Sequence, residues 1–399
     1  MTRSRTGNSK FLKAYNETGI LNVIRTMRSL SRADISKETG LSPTAAGAIV
    51  SSLINKGYIR ENGSGKSRGG RKPVLLELKQ DSYYSIGLDV DVDNILFILM
   101  DITGKVVFER SEALTDNTPD GAALTAAACI RDIMREYSIE KERLLGVGIS
   151  VPGMVDAASH RIVLAPNLGW KDVDFGGILK EHVNLPVYVE NEAMASAICE
   201  NWLGSCQRDS NFVCVNIKSG IGAGIFTGGR PYRGTDGSAG EVGHIVVDES
   251  GLRCGCGNYG CLETIASTGR IVEKARRLAI DGTMSTLNEI DNANGIRIYD
   301  IANAARAQDM AALGLLNEAA AYIGIALSNL VNTLNPSKIV IGKDFTVYGD
   351  LVMDTIRSVI DHKALKRPAA GVEIIVSEIG ERVSTLGAAI VPLKILFGR

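Results

Sequence analysis

Apolar residues recur at helical spacing three times within the first 60 positions, which predicts three short helices. The first covers residues 8–27. Ser31 and Asp34 have the spacing of a capping box, so the second helix begins there. Ser42 followed by Pro43 matches an N-cap with proline at the first helical position, where the third helix begins. Two short capped helices in succession predict a helix-turn-helix motif.

Two short apolar runs follow, at 58–61 and 74–78, and predict the strands of a wing. The glycine-rich segment 63–73 between them is basic, and such a ribbon can enter the minor groove of DNA. The alternative is a solvated flexible linker. The third helix offers small side chains, so phosphate contacts and DNA shape should outweigh direct base readout. The residues expected at DNA are Ser42, Thr44, Ala45, Gly47, Ser51, Arg68, Arg71 and Lys72.

From residue 84 the pattern changes to strands alternating with helices, which is typical of an α/β protein. The predicted strands are 84–90, 94–101, 105–110, 145–150, 187–189, 212–217, 335–342 and 373–376. Helices are expected at 121–136 and 193–203, over most of 264–334, and at 387–396 with a kink or break at Pro392. The glycines between 220 and 224 predict a turn. Glu190, Asn191 and Glu192 follow a strand and open a helix, where α/β folds bind ligands.

The net charge of −1 conceals an asymmetry between the two parts of the chain. Residues 1–80 hold 15 Lys and Arg against 5 Asp and Glu, and the remainder holds 29 against 40. A basic N-terminal region followed by an acidic remainder indicates that nucleic acid binds the N-terminal region alone. No apolar run approaches the ~20 residues of a membrane span, and the start lacks an apolar signal core. With four scattered cysteines in addition, at 129, 199, 206 and 214, we expect a protein of the reducing cytoplasm.

The stretch 240–263 brings one histidine and three cysteines, all possible metal ligands, close together in the sequence. Thiolates and a neutral imidazole at short spacing are tetrahedral zinc ligands, and four protein ligands leave no position for a catalytic water. Nearby glycines let the backbone turn tightly enough to direct the sulfurs inward. The alternative is a group of ordinary reduced thiols. We predict one structural Zn²⁺, bound by His244, Cys254, Cys256 and Cys261.

Two glutamates flank these ligands. Glu241 precedes His244 by three positions, and Glu263 follows Cys261 by two. An imidazole that binds a metal through one ring nitrogen leaves the other as a fixed donor. Two carboxylates and one N–H on a rigid segment suit a polyol, whose hydroxyls both donate and accept. The alternative is a pair of solvated surface glutamates.

Taken together, these segments resemble the ROK family of bacterial sugar-responsive repressors and sugar kinases over nearly the whole chain. The most specific parts are the Glu, His and Cys pattern of 241–263, the Pro-Asn-Leu loop at 166–168, the Glu-Asn pair at 190–191 and the basic wing at 67–73. With its winged helix the chain is most similar to the repressor branch, of the xylose or N-acetylglucosamine type.

The resemblance implies an N-terminal winged helix-turn-helix followed by a two-lobed, actin-like (ribonuclease-H-like) ligand domain of the ATPase superfamily. The expected division is a winged helix at 1–80, a first lobe at 81–205 plus 384–399, and a second lobe with the zinc site at 206–383. The sugar contacts carried over from the family are Asn167, Asn191, Glu192, Glu241, His244 and Glu263. The first three are expected on the first lobe and the last three on the second, with the sugar in the cleft.

Departures from the kinase pattern indicate that the nucleotide half of the cleft has been lost. The family's kinases have Asp-x-Gly-Gly-Thr-Lys at the first strand turn, whereas residues 89–94 read Asp-Val-Asp-Val-Asp-Asn. The added carboxylates would repel a triphosphate. Glu192 replaces the catalytic aspartate, and Lys343 replaces the second glycine of the adenosine strand. We therefore predict no catalytic residues and no enzymatic activity.

The sequence thus predicts a repressor of carbohydrate genes that binds double-stranded DNA, acts as a homodimer or homotetramer, and binds DNA more weakly when a monosaccharide is present. One alternative is an ATP-dependent sugar kinase with a DNA-binding appendage. Another is a sensor whose N-terminal helices contact a protein instead of DNA. The sequence leaves both pentoses and hexoses open as the effector.

Overall fold

A computed structural model describes residues 9–64, 72–282 and 295–398. The chain forms two compact units. Unit 1 comprises the residues up to Ile149, Asp174–Val189 and those from Ala388 onward, and unit 2 comprises Ser150–Val173 and Glu190–Gly387. Residues 150–173 and 190–205, expected in the first lobe, thus belong to unit 2. Unit 1 also contains the winged helix together with a larger sheet, so the three-part division stays a prediction.

The winged helix at the start of unit 1 has three helices and a three-stranded antiparallel sheet of order β1-β3-β2. Its elements are α1 (Ser9–Met27), β1 (Leu30–Ser31), α2 (Arg32–Thr39), α3 (Pro43–Asn55), β2 (Ile59–Ser64) and β3 (Val74–Leu78). The predicted helix-turn-helix and the two wing strands are confirmed. Strand β1 is an addition, because two residues are too few for a sequence pattern to reveal.

Local capping explains where these helices begin. The Ser31 hydroxyl accepts from the Asp34 backbone N–H at 3.2 Å, and the Asp34 carboxylate accepts from the Ser31 N–H at 3.0 Å. The Ser42 hydroxyl caps α3 by accepting from the Ala45 N–H at 3.3 Å. Gly40 ends α2 in the left-handed region, with φ 68°. Both predicted caps are confirmed, which fixes the turn between α2 and α3.

The rest of unit 1 is organised around a five-stranded sheet of order β11-β7-β4-β5-β6. Its strands are β4 (Tyr84–Val90), β5 (Asn94–Asp101), β6 (Val106–Ala113), β7 (Leu144–Val151) and β11 (Val187–Asn191). The helices α4 (Pro119–Glu136), α5 (Phe175–Val183) and the end of α13 (Val383–Leu396) accompany it. Strands β7 and β11 both end at the start of a unit 2 segment.

The winged helix is fastened to the remainder of unit 1 at two places. The Tyr83 hydroxyl donates to the Lys56 carbonyl at 2.9 Å, and its ring lies 4.7 Å from that of Tyr58. At the other place, the Asn22 amide donates to the Phe397 carbonyl at 2.5 Å. The end of α13 therefore touches helix α1 of the winged helix directly.

Helix α13 differs from its prediction in two respects. It begins at Val383 instead of residue 387, and it continues through Pro392 without a break. Proline removes the N–H that would bond the carbonyl four residues earlier, at Ala388. A Cβ at Gly148 would lie only 1.9 Å from that carbonyl oxygen, so this glycine permits the helix to pack closely at the proline.

Unit 2 contains a second five-stranded sheet, of order β14-β13-β12-β15-β16. Its strands are β12 (Phe212–Ile217), β13 (Ile221–Thr227), β14 (Arg230–Tyr232), β15 (Lys338–Lys343) and β16 (Glu373–Val376). A small sheet is formed by β8 (Met154–Asp156), β9 (Arg161–Ala165) and β10 (Trp170–Val173). The helices are α6 (Glu192–Trp202), α7 (Glu263–Ala266), α8 (Thr268–Ile280), α9 (Ile298–Arg306), α10 (Met310–Leu334), α11 (Gly349–Lys363) and α12 (Lys366–Gly371).

The predicted turn at 220–224 is wrong for 221–224, because these residues belong to strand β13, which pairs antiparallel with β12, and only Gly220 lies in the turn between the two strands. Gly224 shows the physical reason for the glycines. A Cβ there would lie 2.4 Å from the Ala193 carbonyl oxygen and 2.5 Å from the Ala197 side chain. The glycines of the strand therefore let helix α6 pack tightly on it, and they do not form a loop.

Helix α10 is long and apolar enough to span a membrane by length and composition, contrary to the expectation from the sequence. Half of its most apolar window is buried inside the protein. Leu316, Ile323, Leu327 and Val331 on its inner face belong to the main core of unit 2. This burial is that of a core helix.

Candidate functional site

A cavity of about 700 Å³ lies within unit 2. Its walls come from the loop before β8, the start of α6, strand β13 and the stretch 240–263. All six predicted sugar contacts line it: Asn167, Asn191, Glu192, Glu241, His244 and Glu263. Asn167, Asn191 and Glu192, which were expected on a different lobe from the other three, belong with them to unit 2.

The side chain of Asn191 forms hydrogen bonds with backbone groups. Its Oδ1 accepts from the N–H groups of Ala193 and Met194, at 2.9 and 3.1 Å, and so caps α6. Its amide nitrogen donates to the Gly153 carbonyl at 2.5 Å. Asn191 thus ties the loop before β8 to the start of α6, and its contact with sugar stays a prediction. Asn167 donates to the Ser219 hydroxyl at 3.3 Å across the cavity wall.

The acidic residues beside Asn191 are each held by a cation that the sequence did not identify as a site residue. Glu190 is 5% exposed and accepts from the Arg233 guanidinium. The Glu192 Oε1 lies 2.8 Å from the ammonium of Lys343, whose side chain is 4% exposed. Arg233 lines the cavity as well. These partners are far apart in sequence, so only the folded chain reveals the pairs.

Lys343 has a backbone conformation that is rare for any residue other than glycine, with φ 62° and ψ −137°. Such a conformation costs on the order of 1–3 kcal/mol and persists where the surroundings impose it. The sequence alone identifies Lys343 only as a departure from the glycine pair of the kinases. The structure shows why glycine suits this backbone.

The predicted metal ligands come together in space. The ligand atoms of His244, Cys254, Cys256 and Cys261 all lie within 4.8 Å of one another. The Cys256 and Cys261 sulfurs are 3.7 Å apart, and the Cys254 sulfur is 3.5 Å from the His244 Nδ1. Ligands of tetrahedral zinc would lie about 3.8 Å apart for two sulfurs and about 3.6 Å for sulfur and nitrogen, given the usual bond lengths. The group has the donors and spacing of a metal site.

The His244 ring joins this group to the cavity. Its Nδ1 faces Cys254, while its Nε2 lies 4.0 Å from a carboxylate oxygen of Glu241. Burial raises the pKa of the Glu241 carboxyl, an effect that the His244 ring opposes and the Glu263 carboxylate increases. Burial also raises the pKa of the Cys261 thiol, whereas a backbone N–H of Asn258 lowers that of Cys256. Both glutamates predicted at the site therefore lie beside the metal group.

The outer face of α3 is composed of small side chains. Ser42, Thr44 and Ser51 are exposed, and Ala45 and Gly47 are half-buried. The Ser51 hydroxyl donates to the Gly47 carbonyl at 3.0 Å, so it is partly occupied within the helix. Lys72 is exposed at the end of the wing, whereas Arg68 and Arg71 lie outside the described residues. The contacts of these residues with DNA stay predictions.

The acidic turn at 91–93 is a tight hairpin between β4 and β5. The Asp91 N–H donates to the Asn94 carbonyl at 2.9 Å, and the Val92 N–H donates to the Asp91 carboxylate at 2.8 Å. Two backbone donors of the turn are thus occupied within it. The loss of nucleotide binding at this turn stays a prediction.

Comparison with known proteins places the chain in a family. Residues 85–394 match the model of the ROK family, and residues 15–60 match that of a winged helix-turn-helix DNA-binding domain. The xylose repressor of Caldicellulosiruptor bescii is 34% identical, over 96% of both chains. A ROK family transcriptional regulator, a homolog of the Escherichia coli MLC protein, has a solved structure that is 28% identical over 97% of both chains, with a TM-score of 0.85.

A kinase of the same fold matches less of the chain. The ROK family glucokinase of Streptomyces griseus, solved with glucose and AMPPNP, is 29% identical with a TM-score of 0.67. It covers 77% of this chain and 98% of its own. The chain belongs to the ROK family, with an N-terminal winged helix in addition to the family domain. It is a sugar-responsive DNA-binding repressor of that family and not an enzyme.

Proposed function

We propose that a neutral monosaccharide, with D-xylose as the first candidate, binds in the cavity of unit 2 and weakens the binding of the winged helix to its operator. The observation that carries this proposal is the convergence of six predicted contact residues on one cavity. The candidate sugar follows from the name of the 34% identical relative.

The chemistry of the cavity suits hydroxyl groups. Glu192, Glu241 and Glu263 supply charged acceptors, and charge-assisted hydrogen bonds are stronger than neutral ones. The Nε2 of His244 supplies a donor when Nδ1 binds a metal. Asn216 also lines the cavity, is 4% exposed, and its Oδ1 has no hydrogen-bond partner among the described residues. A sugar hydroxyl near this oxygen would satisfy a buried acceptor.

The metal that we propose for the His and Cys group is zinc. Three thiolates and one imidazole are a usual ligand set for structural Zn²⁺, and four protein ligands complete the tetrahedron. The bound ion would supply rigidity and not chemistry. It would fix the segment that carries Glu241 and Glu263 along one wall of the cavity.

At the DNA, we propose that the helix-turn-helix determines position and that the wing supplies electrostatic attraction. The exposed face of α3 offers hydroxyls and methyl groups, which give few bidentate contacts to base edges. Basic residues of the wing, Lys72 among them, would neutralise phosphates and enter a minor groove. The protein would act in the cytoplasm as a homodimer or homotetramer, so that two winged helices meet two half-sites.

The proposal is tested by measuring DNA affinity with and without sugar. A duplex selected by the protein from a random-sequence pool serves as the operator. We expect D-xylose to weaken binding of this duplex by a factor of about 5–150, the usual range of allosteric coupling. L-xylose and N-acetylglucosamine serve as comparison sugars. Equal DNA affinity with and without every sugar would contradict the proposal.

A further inference from the structure

Lys343 combines a strained backbone with a buried charge at the end of strand β15. Its φ of 62° lies where residues with a Cβ are rarely found, and the residue is only 3% exposed. Burial of an ammonium is unfavourable unless hydrogen-bonding partners surround it. A position with both costs indicates that the side chain makes contacts that no smaller residue replaces.

The contacts of this ammonium reach two different elements. It lies 2.8 Å from Glu192 Oε1, at the start of α6. It also donates to the Ser384 hydroxyl at 2.6 Å and to the Glu381 carbonyl at 3.2 Å. An ammonium has three N–H groups to donate, and these contacts include three oxygen acceptors. Glu192 lines the cavity, whereas Ser384 lies in the first turn of α13.

Helix α13 has residues in both units, and its end lies beside the winged helix within unit 1. It begins at Val383 in unit 2, and from Ala388 onward its residues belong to unit 1. Within unit 1, the Phe397 carbonyl after its last turn accepts from Asn22 of helix α1. The Ser85 hydroxyl donates to the Ala389 carbonyl at 2.7 Å and holds the middle of the helix.

We infer that Lys343 is a positioning residue that orients Glu192 toward the effector and couples effector binding to helix α13. This inference rests on the proposed function. A ligand hydroxyl that donates to the Glu192 carboxylate shares it with Lys343. Ligand binding therefore alters the hydrogen bonds from the Lys343 ammonium to Ser384 and Glu381. Coupling needs a contact that differs between the sugar-free and the sugar-bound protein. In this inference, that contact is the one that Lys343 makes with Glu192, Ser384 and Glu381.

The test replaces Lys343 by Met, which keeps the length of the side chain and removes the charge. D-xylose affinity is measured by isothermal titration, and the affinity for the selected duplex is measured without sugar and with saturating D-xylose. We expect D-xylose to bind Lys343→Met, with weakened affinity. DNA affinity without sugar should stay within about twofold of wild type. The effect of saturating sugar should fall from about 5–150-fold to less than about twofold.

Three further variants separate coupling from structural support. Lys343→Arg keeps the charge and should restore most of the sugar response. Lys343→Gly relieves the backbone strain, so it should be at least as stable as Lys343→Met in thermal unfolding while it also lacks the response. Lys338→Met removes another ammonium of β15, one that pairs with Asp209 and Glu373, and should respond as wild type does.

The outcomes distinguish this inference from the proposed function. If the DNA affinity of wild type is the same with and without every sugar, the proposed function is contradicted, and the inference fails with it. If the DNA affinity of wild type responds to D-xylose and that of Lys343→Met or Lys343→Gly responds equally well, the inference alone is overturned. Loss of all sugar binding in both variants would make Lys343 a part of the binding site and would overturn its role in coupling.

Discussion

The cavity of unit 2 and the outer face of α3 use their side chains in opposite ways. In the cavity, Glu192 is held by Lys343, and Glu190 by Arg233. On α3 the exposed residues are short, and the Ser51 hydroxyl bonds within its own helix. The cavity is thus lined by charged side chains that are held by residues distant in sequence. The outer face of α3 instead presents short side chains on a helix that is fixed by its caps.

This difference indicates how the two kinds of recognition are divided. A small polyol offers only a few hydroxyls, so its selection depends on acceptors that are fixed before it arrives. A DNA duplex offers many phosphates, and much of its binding energy needs no precise side chain. We therefore expect single substitutions to change the cavity strongly and the DNA face weakly.

The largest effect should come from the metal group. Cys256→Ser removes one of four ligands, so zinc content should fall well below one per chain, and stability should fall by more than about 4 kcal/mol. Elemental analysis and chemical denaturation measure both quantities. Cys129→Ala, at a buried cysteine in helix α4 of unit 1, should keep the zinc. A stable, soluble wild-type protein without metal would contradict the assignment.

The next largest effect should come from Glu241. Glu241→Ala removes a carboxylate of the cavity, so the coupling between sugar and DNA, about 1–3 kcal/mol in wild type, should be lost. DNA affinity without sugar should be unchanged. Glu249→Ala is the matched control, because Glu249 is exposed in the same stretch and does not line the cavity. Loss of sugar-free DNA binding in Glu241→Ala would instead indicate that this residue supports the fold.

A smaller effect is expected in the wing. Lys72→Ala should weaken binding to all duplexes in nearly equal measure and reduce the slope of log affinity against log salt by about one unit. Lys141→Ala, which removes an exposed lysine in a turn before strand β7, serves as the control. An unchanged slope in Lys72→Ala would show that this end of the wing does not touch phosphates.

No effect at all is expected from ATP. The hairpin at 91–93 occupies two of its own backbone donors and adds carboxylates where a triphosphate would need donors. In a coupled assay with ATP, Mg²⁺ and D-xylose or D-glucose, turnover should be undetectable. A rate near ~10 s⁻¹, typical of an enzyme, would return the chain to the kinase class.

The features that the sequence predicted well depend on residues close together in the chain. Ser31 and Asp34 form their capping box within one helical turn, and Ser42 caps the helix that it begins. The metal group follows the same rule, since its four ligands fall within 18 consecutive residues. Short spacing restricts the possible geometry, so the pattern alone was sufficient.

The features that the sequence missed depend on packing between distant segments. The pairs of Glu192 with Lys343 and of Glu190 with Arg233 appear only after strands and helices come together. Glycine often forms turns, so the sequence predicts a turn at Gly224, but Gly224 lies in a strand where helix α6 leaves no room for a Cβ. The unit to which Asn167 and Asn191 belong was likewise decided by tertiary contacts.

The central claim is that sugar in the cavity of unit 2 opposes DNA binding, and reciprocity tests it most directly. The Kd of D-xylose is measured by isothermal titration for the protein alone and for the protein saturated with its selected duplex. Linkage requires that DNA weaken sugar binding by the same factor by which sugar weakens DNA binding, here about 5–150-fold. The account predicts this increase in Kd. The same Kd with and without DNA would contradict it.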